Sequence, residues 1–149
     1  MKISKEAIID FFRNGGKVLG DLAWESFGEA LNQIGADAFS DAIEIGIENT
    51  IAALYEASIK DKDILRIVCE QWGISVTDAE DRLVYEKRQA AIRSLRQYLK
   101  LQGYSKSDID KFGRENCAWI RINREPDLWQ LKNDPEKLKK EIEKRKSKK

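Results

Sequence analysis

The chain of 149 residues contains no histidine. Imidazole is the usual base for serine and cysteine nucleophiles and the commonest zinc ligand. Its absence therefore excludes Ser-His and Cys-His catalysis and HExxH zinc sites. Cysteine is scarce: Cys69 and Cys117 are the two present, and neither belongs to a CxxC pair. That is too few for a four-cysteine metal site or a disulfide framework, so both are expected to be reduced core residues. No apolar run approaches the ~18–20 residues that a membrane span needs. Met1–Lys17 is interrupted by Asp10 and Arg13 and shows no cleavage site, so cytoplasmic residence is expected. The glycines around Lys17 do not fit the GxxxxGK[ST] phosphate loop, and no EF-hand loop occurs. No cofactor and no metal is implied.

What the chain does have is helical. Proline occurs twice, and six of the nine glycines precede residue 50. With 42% hydrophobic and 36% charged residues, the composition describes a globular protein with a heavily charged surface. The net charge of +1 conceals an asymmetry. Residues 1–60 hold 5 basic and 10 acidic residues, 61–120 hold 11 and 10, and 121–149 hold 11 and 6. An acidic front and a basic tail are suited to different partners.

Apolar residues recur at helical spacing along most of the chain. Ser4 caps a short helix to about Arg13, which Asn14-Gly15-Gly16 stops. Leu19, Ala23, Phe27, Ala30 and Ile34 mark a second helix, and Phe39, Ile43, Ile47, Ile51 and Leu54 a third. The break between them is so short that residues 17–58 are expected to form an antiparallel hairpin. Ile43 to Glu48 alternates like a strand, but the helical period extends over twenty residues. Asp61-Lys62-Asp63 is expected to cap a helix ending at Trp72-Gly73. Thr77-Asp78-Ala79-Glu80 reads as a capping box opening a helix to about Leu101, roughly 36 Å long. Its seam is Val84, Ala91, Leu95 and Tyr98, and Gly103 stops it. Ser105 or Ser107 caps the next helix, with Ile109, Phe112, Cys117 and Ile120 directed inward. Pro126 and Asp134-Pro135 open two further helices. The expected fold is thus all-α: a compact bundle of about 6–7 helices over residues 1–133, with a central part over 61–122. Residues 134–149 would be a basic, helical or disordered tail.

Several constellations resemble chemistry and have simpler explanations. Asp61 with Asp63, or Asp108 with Asp110, has the charge for a hard cation. Both pairs also sit at helix starts, where carboxylates complement the macrodipole. Pro126-Asp127 matches the start of a PD…ExK nuclease pattern, but no ExK follows on a strand. Ile64 to Arg88 has the outline of a helix-turn-helix. The turn that would face the bases carries Asp78, Glu80 and Asp81, which repel phosphates.

Two surfaces remain for binding. The first is the acidic hairpin, where Asp21, Glu25 and Glu29 line one face beside Trp24, a candidate partner anchor together with Trp129. The second is basic. Arg82, Arg93, Arg96 and Lys100 lie on the long helix, and Lys106, Arg114, Arg121 and Arg124 follow, with Tyr104, Trp119 and Trp129 interspersed. The sequence therefore predicts a non-enzymatic interaction protein that binds a protein partner or itself, with no small-molecule substrate. A nucleic-acid-binding regulator using the basic face and tail is the second expectation. A phage or mobile-element inhibitor that blocks a host enzyme by occupation is the third.

Overall fold

A computed structural model describes residues 36–146 of the chain. Among the described residues every regular element is a helix: α1 (Ala36–Glu56), α2 (Asp61–Trp72), α3 (Val76–Leu101), α4 (Lys106–Glu115), α5 (Ala118–Arg124), α6 (Pro126–Trp129) and α7 (Pro135–Lys146). The all-α expectation holds. The segment that alternates like a strand lies inside α1, where Ile47 is buried, Ile43 half-buried and Ile45 exposed. The first two expected helices lie outside the described residues.

The chain divides into two units, Met1–Leu83 and Val84–Lys149, and the boundary falls within α3. In the first unit, Ile47 and Ile51 of α1 pack with Ile64 and Val68 of α2 and with Ala79 and Leu83 from the start of α3. Trp72 is half-buried against this core. Its indole N–H donates to Thr50 Oγ1 at 3.1 Å, and that hydroxyl donates to the Gly46 carbonyl at 2.8 Å. The tryptophan is thereby satisfied as well as packed.

In the second unit, Ala91, Ile92, Leu95 and Leu99 of α3 meet Phe112, Ala118, Ile122, Leu128, Leu138 and Ile142. The last two belong to α7, the expected tail, and both are fully buried. Four-residue spacing puts this pair on one helix face, and two apolar residues suffice to dock an otherwise charged helix.

Local signals account for the helix ends, with corrections. Ser75, not Thr77, caps α3: its hydroxyl accepts the Asp78 N–H at 3.1 Å, and Thr77 lies inside the helix. Lys60 is the residue before α2 and makes no side-chain cap, while Asp61 and Asp63 occupy the first turn. The reciprocal capping box is at Ser105 and Asp108. Gly73 takes the left-handed conformation (φ 66°), and its N–H bonds the Cys69 carbonyl at 2.9 Å. Cys117 is also left-handed (φ 49°) and exposed rather than core. That break separates α4 from α5 and resets the helical phase, so Ala118 and Ile122 point inward while Ile120 is exposed.

Candidate nucleic-acid interface

The division at Leu83 sharpens the charge asymmetry. The first unit contains 8 basic and 16 acidic residues, a net −8. The second contains 19 basic and 10 acidic residues, a net +9. Within the second unit, the part of α3 from Val84 to Leu101 has five cationic residues and a single carboxylate, Glu86. At about 100° per residue, Tyr85, Gln89, Arg93, Arg96 and Lys100 fall within an arc of roughly 80°. The core face of Ala91, Leu95 and Leu99 is centred about 120° away around the helix. Burial of that face leaves the stripe beside it outside the core. Tyr85, Arg93, Arg96 and Lys100 are all exposed.

The expected basic residues divide into tethered and available. Arg82 belongs to the first unit and is tethered. Its Nε donates to Asp78 at 2.8 Å, and its Nη atoms donate to both Glu44 oxygens at 2.7 and 3.1 Å. This bidentate pair holds the Glu44 carboxyl below its ordinary range, chiefly through the hydrogen bond. Arg121 joins three groups: the Asn116 carbonyl at 3.2 Å, the Arg145 carbonyl at 3.4 Å and Glu125 at 3.6 Å. Arg145, in the basic tail, pairs with Glu125 and Asp127 and lies 3.8 Å from Glu141. Asp127 thus serves an ion-pair network that links α7 back to the residues around α6. Arg93 pairs with the buried Glu86 but keeps a 58% exposed side chain.

Arg96, Lys100, Lys106, Arg114 and Arg124 are exposed and have no ion pair among the described residues. The tryptophans near the basic stripe are half-buried. Trp129 donates its indole N–H to the Ile122 carbonyl, and the Arg88 guanidinium lies 5.2 Å from its ring centroid. Arg88 Nε is buried without a hydrogen-bond partner, and the ring face is its compensating contact. Arg96 lies 4.7 Å from the Trp119 centroid. Trp129, expected as an exposed anchor, is thus part of the core shell. Trp24, Asp21, Glu25 and Glu29 lie outside the described residues.

An open cleft of about 620 Å³ beside α4 and α7 carries both signs of charge, with Asp108, Glu115 and Glu143 against Lys111 and Lys146. Its carboxylates are engaged: Asp108 in the cap with Ser105, Glu115 with Lys111 at 3.9 Å and Glu143 with Lys139 at 3.4 Å. Among the described residues no group of three or more carboxylates and cysteines is placed to hold a metal ion, and no helix is long and apolar enough to cross a membrane. No family model, curated protein or solved structure matches the chain.

Proposed function

We propose that the chain is a non-catalytic binding protein whose second unit docks on nucleic acid through the exposed stripe of α3. The observation that carries this reading is an exposed arc of Arg93, Arg96 and Lys100, on a unit with a net +9 charge, where the one carboxylate of residues 84–101, Glu86, is buried and paired with Arg93. Such an arc attracts phosphates without regard to sequence and releases their counterions. Arg96→Glu/Lys100→Glu reverses two exposed positions, and circular dichroism checks that losing the Arg96 contact on Trp119 leaves the fold intact. Fluorescence anisotropy with labelled oligonucleotides at low salt is expected to show binding by the parent chain and a loss of at least tenfold in the double variant. Equal affinity of the two proteins, or no binding by either, contradicts the reading.

The net −8 charge of the first unit supports a second reading. That unit repels polyanions, so the partner expected is a protein surface, met by Trp24 with Asp21, Glu25 and Glu29, residues outside the described ones. Gel filtration with light scattering, and capture from lysate by parent and Trp24→Ala chains, test it. A monomer that captures the same proteins with and without Trp24 counts against it.

A further inference from the structure

Tyr85 lies on the basic stripe, Trp119 touches it through Arg96, and Trp129 packs on Arg88; the three rings differ in what they offer. The tryptophans are half-buried, each with a guanidinium over its ring, Arg96 on Trp119 and Arg88 on Trp129. Tyr85 is 54% exposed and makes no hydrogen bond or ring contact among the described residues. It shares the arc of Arg93, Arg96 and Lys100, about 12 Å along the helix axis from Arg93 and about 22 Å from Lys100. An aromatic face at one end of a row of cations is the arrangement by which proteins hold an unpaired strand: phosphates meet the cations and a base lies on the ring.

A duplex fits the same helix poorly. Its bases are already stacked on one another, so Tyr85 has no base face to meet.

We infer that the α3 stripe takes single-stranded nucleic acid in preference to duplex, with Tyr85 stacking on a base and Arg96 and Lys100 contacting phosphates. The inference rests on the docking reading above and adds the form of the ligand. The probes are labelled oligothymidylate, oligouridylate and a mixed-sequence DNA duplex of equal length, titrated with the full chain at low salt. Both single strands, or whichever of them carries the preferred sugar, are expected to bind about tenfold more tightly than the duplex. Tyr85→Ala is expected to cost about tenfold on that strand, with the salt dependence and duplex affinity unchanged, and Tyr85→Phe to retain the parent affinity. Tyr85 is outside both cores, and circular dichroism verifies that the variants are folded. Equal binding of duplex and single strands, or a Tyr85→Ala chain that binds single strands like the parent, overturns the inference. If Arg96→Glu/Lys100→Glu abolishes that equal binding, docking on α3 stands and only the strand preference falls. If no probe binds, both fall.

Discussion

The guanidinium of Arg96 lies over the ring of Trp119, 4.7 Å from its centroid. The contact holds a cation at the surface of the second unit and covers an indole that otherwise offers its face to solvent. The same indole leaves no room at Gly113, where an added Cβ would collide with Trp119 Nε1. Gly113 is buried and does not have a left-handed φ, so the glycine is there for space. Gly113→Ala is expected to destabilise the chain by about 1–3 kcal/mol. Urea denaturation measures it, and an unchanged midpoint would mean that the indole moves aside freely.

The last helix is structural. Leu138 and Ile142 are fully buried in the core of the second unit. Ile142→Ala is expected to cost about 2–5 kcal/mol. A fraying tail would give a change near zero in the same denaturation experiment.

Helix caps give a contrast within one helix. Ser75→Ala removes the acceptor for the Asp78 N–H and is expected to cost about 1 kcal/mol. Thr77→Ala, inside α3, is expected to cost less than that. Thermal unfolding of the two variants ranks them. The reverse order would restore the cap to Thr77.

Two carboxylates link folding to pH. Glu44 is held below its ordinary range by Arg82, and Asp108 by the hydroxyl and N–H of Ser105. A depressed folded pKa contributes stability that is present above the unfolded value and lost as the pH falls through the folded one. The window is therefore acidic, at and below the usual carboxylate range. Arg82→Met is expected to return Glu44, and Ser105→Ala to return Asp108, upward to ordinary titration. NMR titration of the side-chain carboxyl carbons reads both. Unchanged midpoints would show that these hydrogen bonds are not kept in solution.

Much of this architecture is legible in the chain itself, because apolar period and helix stops are local. The interior of α3, the stop at Gly103 and the proline starts at 126 and 135 follow from spacing and backbone freedom alone. Features that depend on partners distant in sequence are not legible. The burial of Leu138 and Ile142 needs α3 and α5 to be in place. Whether Arg82 is free depends on Glu44, 38 residues away. Cys117 looks like a core residue until its left-handed backbone breaks the helix and turns Ile120 outward. The exposure of Tyr85 is not legible in spacing, because no aromatic pattern surrounds it. Its exposure emerges only once Ala91, Leu95 and Leu99 fix the inward face of α3.

The salt dependence of oligonucleotide binding probes the basic stripe most directly. With about three phosphates neutralised by Arg93, Arg96 and Lys100, a plot of log affinity for oligothymidylate against log salt should fall with a slope of roughly −2. The Arg96→Glu/Lys100→Glu chain should lose most of that slope along with its affinity. An affinity indifferent to salt, or no detectable binding even at low ionic strength, would mean that the positive face of α3 does not meet nucleic acid.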